Sequence, residues 1–228
     1  MDVKKSMESY VILENTTTSV CYERDVVSFD SGTILKELKT EGPVVFGKRC
    51  IVNRGSVGRF SCSGNDFRAS DCEIGAFCSV GDNVLIGAGT HPKNWLSTHL
   101  FKVNQKFWDW AVPLEPRINE LSFTWRRRSI IGNDVWISSN VVILSGLTIG
   151  DGVIIGANSV VNTDLPPYCV AVGSPAKIKS FRFSQELIKR IQNSCWWELP
   201  IDFLMDLPYD DIDASLALIE SNRKEFLL

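Results

Sequence analysis

The chain of 228 residues has only two histidines, His91 and His99, and they lie close together in the sequence. A neutral imidazole is suited to removing a proton near neutral pH, because its ordinary pKa is about 6.5. His91 stands in the stretch IGAGTHPKNW, at the point where a regular six-residue rhythm stops. An isolated histidine is more often structural than catalytic, so its chemistry depends on the elements that position it.

The six-residue rhythm is the main structural signal in the sequence. A period of six fits neither an α-helix nor a simple strand, and it is typical of a β-helix in which six residues build one short strand and its turn. Stacked coils then align the aliphatic residues into a continuous core, and glycine lets the backbone turn where side chains would crowd. The first position of successive repeats is occupied by Ile131, Ile137, Ile143, Ile149, Ile155 and Val161.

The same rhythm predicts how the chain is organised. It recurs from Ile74, is weaker from Val45, and contains one five-residue unit at 69–73. We therefore predict a mainly β fold, with a parallel β-helix over 45–175 and an irregular N-terminal cap over 1–44. A helical segment is expected over 176–228. Its first helix should begin after the N-cap Ser184, and a second should cover about 211–222.

Residues 92–128 interrupt the rhythm and form a long inserted loop. Long loops in compact domains are usually functional, and a solvated loop should not carry this many aromatic residues. The rings pack the loop onto its own domain or a neighbouring subunit, or they bind an acceptor, and these interpretations are compatible. The aromatic residues are Trp95, Phe101, Phe107, Trp108, Trp110, Phe123 and Trp125.

Composition excludes several classes of function. The net charge of −3 argues against nucleic acid as the main partner, although Arg126, Arg127 and Arg128 form a local basic cluster. No apolar run is long enough to span a bilayer, and the N-terminus lacks the apolar stretch of a secretory signal. The seven cysteines show no CxxC pairing, which indicates reduced thiols in a cytoplasmic protein. A three-histidine metal site would need ligands that the chain lacks, so no metal is expected.

Several motifs occur in a fixed order with the repeats: HPKNWLSTHLF, IIGNDVWIS, PPYCVAVGSPAKIKSFRF and WWELP. Together, over roughly residues 45–205, they resemble the left-handed β-helix acyltransferases. The most similar branch contains xenobiotic acetyltransferases, which act on chloramphenicol or streptogramins, and saccharide O-acetyltransferases. The resemblance implies a left-handed β-helix, a homotrimer and acetyl-CoA as the acetyl donor.

The resemblance also implies a place for the donor. In the family, coenzyme A lies along the groove between neighbouring β-helices, and its pantetheine arm bonds to coil backbone. This implies that Ser139 and Ala157 lie on the backbone track and that Lys177 meets the phosphates as a point charge. Lys179 and Arg182 are weaker candidates for the same contact. The alternative for these cations is a solvated edge.

For the acceptor, the resemblance makes His91 the catalytic base, in agreement with the chemistry of imidazole. Trp95, Trp108 and His99 are expected to contact the acceptor, and the alternative for His99 is an ordinary loop position. Acetyl would pass directly from donor to acceptor. An acyl-cysteine route through Cys78 is disfavoured, because its place in the repeat predicts a buried thiol.

The resulting hypothesis is an acetyl-CoA-dependent acetyltransferase. It would acetylate a hydroxyl of a saccharide or sugar conjugate during synthesis of a surface polysaccharide, since aromatic rings bind sugar faces well. Three alternatives remain: O-acetylation of a xenobiotic of the chloramphenicol or streptogramin type, N-acetylation of a nucleotide-linked amino sugar, and a β-helix scaffold without catalytic activity.

Overall fold

A computed structural model describes residues 27–103 and 122–226 of the chain. Within these residues the fold is mainly β and ends in short helices. The strands are β1 Val27–Phe29, β2 Ile34–Thr40, β3 Val44–Phe46, β4 Ile51–Val57, β5 Cys62–Ser63, β6 Arg68–Ile74, β7 Ser79–Val80, β8 Leu85–Ala88, β9 Ser129–Ile131, β10 Trp136–Ile137, β11 Val142–Leu144, β12 Thr148–Ile149, β13 Ile154–Ile155, β14 Val160–Val161, β15 Cys169–Val172 and β16 Lys177–Phe181. The α-helices are α1 Gln185–Ser194, α2 Ile201–Met205 and α3 Ile212–Phe226, and the 3₁₀ segments are Leu100–Lys102 and Trp196–Glu198.

The strands stack coil upon coil. One sheet has the order β1-β3-β5-β7-β10-β13-β15 and is closed by the antiparallel β16. The other has the order β12-β9-β6-β8-β11-β14, with β4 on β6 and β2 on β4. It folds into two faces, because β2, β4 and β6 bend at Glu37, Arg54 and Asp71, where φ is positive. The arrangement confirms the predicted parallel β-helix with an inserted loop and C-terminal helices.

The length of each coil explains the irregular repeat. Lys48 and Asn65, which bond between successive coils, are 17 residues apart. A coil of this length is one residue shorter than three hexapeptides, so one side carries a five-residue unit such as 69–73. Across the inserted loop the separation rises to 57, as between Asp82 and Ser139, and beyond the loop it is 18 at Asn133 and Asp151.

The stack of coils already includes residues that the sequence assigned to an irregular cap. β1 pairs in parallel with β3, and β2 pairs in parallel with β4, so residues 27–44 belong to the β-helix. Phe29, Leu35 and Leu38 fill its interior at spacings of six and three residues, so no six-residue rhythm is sustained there. An apolar interior accepts any side chain of suitable volume, which is why the sequence rhythm begins later than the fold. Residues 1–26 lie outside the described part.

The core follows the predicted ladder. The first-position residues from Ile131 to Val161 are all buried, and so is the predicted core thiol of Cys78, whereas Val45 and Ile51 of the weaker early repeat are exposed. Most fifth-position residues are buried as well, including Val135, Val141 and Val153. The ladder forms one continuous cluster with the interior of the earlier coils.

The C-terminal segment packs on one corner of the β-helix. The Arg59 guanidinium donates to the carbonyl oxygens of Trp197 and Leu199. Its Cζ also lies 5.7 Å and 5.6 Å from the ring centroids of Phe60 and Phe77. Arg59 therefore joins the aromatic corner of two coils to the segment that follows α1.

The predicted helices are present. The Leu187 amide donates to Ser184 Oγ over 3.2 Å, so Ser184 caps α1 as expected. Ile188 and Ile191 of α1 are buried in a cluster shared with α3, which covers the predicted second helix. In the described part of the chain, no helix combines the length and apolar character needed to cross a membrane.

Candidate active site

The chain leaves the coils at the end of β8. Ile86 still points into the core, and Gly87 adopts a φ of +83°. A Cβ atom at Gly87 would lie 2.3 Å from the carbonyl oxygen of Ser70, so a side chain does not fit there. The Ala88 carbonyl accepts a hydrogen bond from the Ser145 amide over 3.0 Å. After this bond the chain leaves the stacked coils.

The two ends of the inserted loop are held side by side. The Thr90 amide donates to the Trp125 carbonyl over 2.8 Å. Further out, the rings of Trp95 and Phe123 meet edge to face with centroids 5.6 Å apart. Half-buried Trp95 thus packs within its own loop, while its predicted contact with an acceptor stays a prediction. Trp108 lies outside the described residues.

His91 stands at this root of the loop with a defined orientation. Its Nδ1 lies 2.7 Å from the Thr98 carbonyl oxygen, and its side chain is exposed. A carbonyl oxygen can only accept, so Nδ1 carries the hydrogen and Nε2 of the neutral ring keeps its lone pair. The geometry therefore presents an oriented proton acceptor. The sequence could not indicate Thr98, because it acts through its backbone.

His99 has a different environment. Its Nδ1 accepts the Phe101 amide over 3.1 Å and so caps the 3₁₀ segment Leu100–Lys102. Its own amide donates to Ser97 Oγ over 3.1 Å. The structure thus assigns His99 a role in shaping the loop, and contact with an acceptor remains a prediction.

The residues expected to hold the donor share one corner. Ser139 and Ala157 occupy equivalent turns of successive coils, and the Asn158 amide donates to the Ser139 carbonyl over 3.1 Å. Exposed Lys177 follows the next turn in this column and pairs with Val172. Small side chains beside a backbone track, with a cation at its end, are compatible with a long ligand that carries phosphates.

Other candidates for chemistry have structural roles. Arg182, a weaker phosphate candidate, donates over 2.8 Å to Asp134 and over 2.9 Å to the Gly152 carbonyl, so its guanidinium is already engaged. Burial raises the pKa of the Cys78 thiol to about 12. A thiol with this pKa supplies almost no thiolate near neutral pH, which argues against an acyl-cysteine intermediate. Among the described residues, no group of three or more potential ligands is arranged to hold a metal ion.

Comparison with known proteins agrees with this architecture. The family description "Bacterial transferase hexapeptide (six repeats)" matches residues 128–163. The chloramphenicol acetyltransferase of Morganella morganii is 37% identical over 134 residues, which are 57% of this chain and 60% of that protein. A probable macrolide acetyltransferase of Lysinibacillus sphaericus is 37% identical over 126 residues, which are 54% of this chain and 67% of that protein. The chain belongs to the hexapeptide-repeat acetyltransferases.

Within this family the similarity extends to a protein named for a sugar substrate. The galactoside O-acetyltransferase of Escherichia coli strain K12 is 35% identical over 106 residues, which are 44% of this chain and 42% of that protein. The match spans about 60% of the length of the chloramphenicol acetyltransferase. The family signature itself falls in the coils that follow the inserted loop.

Proposed function

We propose that the chain transfers an acetyl group from acetyl-CoA to a hydroxyl of a small-molecule acceptor, with His91 as general base. The observation that carries the proposal is the contact of His91 Nδ1 with the Thr98 carbonyl oxygen, which leaves Nε2 as a proton acceptor at the root of the loop. The names of the relatives, all acetyltransferases, support the reaction class.

In this mechanism the protein supplies orientation and a base. Acetyl-CoA, when bound, supplies a thioester whose carbonyl carbon is open to attack. His91 Nε2 accepts the proton of the acceptor hydroxyl as its oxygen attacks, and it can release that proton to the departing sulfur. The Thr98 carbonyl keeps the ring in the required tautomer and stabilises the imidazolium that forms. Ser139, Ala157 and Lys177 would hold the donor.

We also propose a cytoplasmic homotrimer, in which the donor lies between neighbouring β-helices. Outward-facing apolar residues on one sheet face support an association of this kind. Trp136 of β10 is 52% exposed and Val45 of β3 is 49% exposed. The two residues stand in one column of the sheet with Cys62 and Ser79 between them, and exposed large apolar side chains are typical of a surface that another chain covers.

A saccharide acceptor remains the first candidate, and polysaccharide synthesis the first biological setting. The aromatic residues of the loop and the galactoside O-acetyltransferase relative support it. A hydroxyl of an antibiotic is the second candidate, because the relatives with longer matches are named for chloramphenicol and macrolides. Acetylation of an amino-sugar nitrogen would use the same base.

The test is steady-state kinetics with detection of released thiol. The acceptors are a galactoside, chloramphenicol, a macrolide and an amino sugar. We expect His91→Ala to lower turnover by about 10²–10⁴-fold, the usual contribution of a positioned general base. The KM for acetyl-CoA should barely change. Turnover in the parent should fall in acid, and the variant should lack that pH limb.

His99→Ala is the matched control, because it removes the other histidine from the same loop. It should lower turnover less than His91→Ala does, by loosening the cap of the 3₁₀ segment. Near-normal turnover in His91→Ala, together with loss in His99→Ala, would transfer the role of base to His99. Equal turnover in both variants and the parent would exclude a histidine base.

A further inference from the structure

The returning end of the loop carries a stacked cation. The Arg126 Cζ lies 4.7 Å from the ring centroid of Trp125, whose side chain is 42% exposed. A guanidinium held over an aromatic ring loses conformational freedom before it binds anything. Arginine pairs with carboxylate and phosphate groups through its several N–H donors.

Arg126 has no ionic partner in the described residues, 27–103 and 122–226. Its Nε is buried and has no hydrogen-bond partner there. A buried N–H without an acceptor is unfavourable, so the guanidinium gains from an anion that its other nitrogens can reach. Several other arginines of the fold are paired with carboxylates, among them Arg49, Arg54, Arg128 and Arg190.

The stack lies beside the segment that carries His91. The Trp125 carbonyl accepts the Thr90 amide, which is one residue before His91. A Cβ atom placed on Gly89 would be 3.5 Å from both Arg126 Cγ and the Trp125 ring. The backbone of 89–90 therefore runs against the Trp125–Arg126 pair, and His91 is the next residue along the chain.

We propose that Arg126, stacked on Trp125, binds a carboxylate or phosphate of the acceptor, so that the acceptor is an acidic or phosphorylated saccharide. This rests on the proposed function, which places the acceptor at His91. The donor phosphates are assigned elsewhere, because Lys177 lies at the corner column of Ser139 and Ala157 and not at the root of the loop.

The experiment compares three sugars of one skeleton: galactose, galacturonic acid and galactose 1-phosphate. Their binding to the full chain with coenzyme A is measured by titration calorimetry, which does not require turnover. We expect one or both anionic sugars to bind at least about 10-fold more tightly than galactose, as for a charge-assisted bidentate pair. Which of them gains shows whether carboxylate or phosphate is recognised.

Arg126→Gln should abolish this preference, and Arg126→Lys should retain part of it. Arg127→Gln is the matched control, because it removes the same charge at the next residue. The Arg127 side chain is exposed and lies against Gly146. Its preference should equal that of the parent. Equal binding of all three sugars to the parent would overturn the proposal, as would a preference that survives in Arg126→Gln or is lost in Arg127→Gln.

The same three sugars are then tested as acceptors by thiol release. For an anionic acceptor, Arg126→Gln should raise KM by about 10- to 100-fold and change kcat little, because the contact orients the acceptor and does not react. An anion preference in binding without any thiol release would mean that the site exists and the proposed acetyl transfer fails. Thiol release that depends on His91 but shows no preference for an anionic sugar would mean that the acetyl transfer occurs and the Arg126 site does not exist.

Discussion

The early coils, residues 27–88, and the late coils, residues 129–172, enclose one continuous interior with different side chains. The late coils place isoleucine at successive inward positions, as at Ile137, Ile143 and Ile149. The early coils mix aromatic, aliphatic and thiol side chains, and the rings of Phe46 and Phe67 stack with centroids 6.5 Å apart. The interior thus requires side chains of suitable volume and apolar character in all coils. Only the late coils meet this requirement with one repeated residue type.

The corners show the same contrast. In the early coils one corner is occupied by Arg49 and Asp66, at φ of +55° and +57°, and they form an ion pair across coils. In the late coils the same corner is occupied by Asn140 and Asn158, at +61° and +58°. The shared requirement is a left-handed backbone, which asparagine and aspartate adopt at lower cost than most residues.

The difference explains why the family signature matches only residues 128–163. The coils on both sides of the loop have the same parallel register, but only the late coils combine it with a regular residue pattern. The inserted loop departs at the seam between the two kinds of coil. Its position therefore depends on the few side chains that bridge the seam.

The largest effect on stability is expected at that seam. Ile143 of β11 is fully buried and lies in register with Ile86 of β8, which leads to His91. Ile143→Ala should lower the free energy of unfolding by about 2–5 kcal/mol, and Ile143→Val by about 0.5–1.5 kcal/mol, because truncation leaves a cavity. Thermal and denaturant unfolding measure both. Leu144→Ala is the control, since Leu144 is 37% exposed in the same strand. Equal losses in Leu144→Ala and Ile143→Ala would show that the seam is not the ordered core described above.

The proposed donor corner, the column of Ser139 and Ala157, allows a smaller test between the same two regions. Lys177 follows the late coils, and Lys48 occupies the corresponding corner of an early coil. The Lys48 Nζ lies 3.8 Å from Asp30 Oδ2. Lys177→Ala should raise the KM for acetyl-CoA about fivefold, because one exposed contact with a phosphate contributes about 1 kcal/mol. Lys48→Ala should leave that KM unchanged. An unchanged KM in Lys177→Ala would assign Lys177 to a solvated edge.

The sequence predicted most of the late coils and the place of His91, because both depend on spacing along the chain. It did not predict that the stack begins before Val45, since Phe29, Leu35 and Leu38 fill the interior at uneven spacings of six and three residues. The contact of the Thr98 carbonyl with His91 could not be predicted from the sequence either, because every residue has a backbone carbonyl. The cap formed by His99 depends on the local path of the loop, which residue types do not specify.

The smallest effect on stability is expected when a corner residue of the early coils is replaced by the asparagine found at that corner in the late coils. Asp66→Asn keeps a residue that tolerates a φ of +57° and places it beside Asn83, whose amide already donates to Asn140 over 2.9 Å. The Arg49 guanidinium donates to Asp66 over 2.8 Å, and this hydrogen bond lowers the pKa of the Asp66 carboxyl. A carboxyl whose pKa is lower in the folded state than the unfolded value of about 3.9 contributes stability above that value and loses it as pH falls through the lowered pKa.

The parent should therefore melt slightly above Asp66→Asn at pH 5–8, and the difference should shrink below about pH 4. Added salt should reduce it at every pH, because the pair is exposed to solvent. Scanning calorimetry across pH and salt measures this difference, with Asp71→Asn as the matched variant of the second pair, Arg54–Asp71. A large decrease in melting temperature at pH 7 in Asp66→Asn would show that the early corners depend on their ion pairs. A residue that tolerates the left-handed backbone would then not be sufficient to keep them stable.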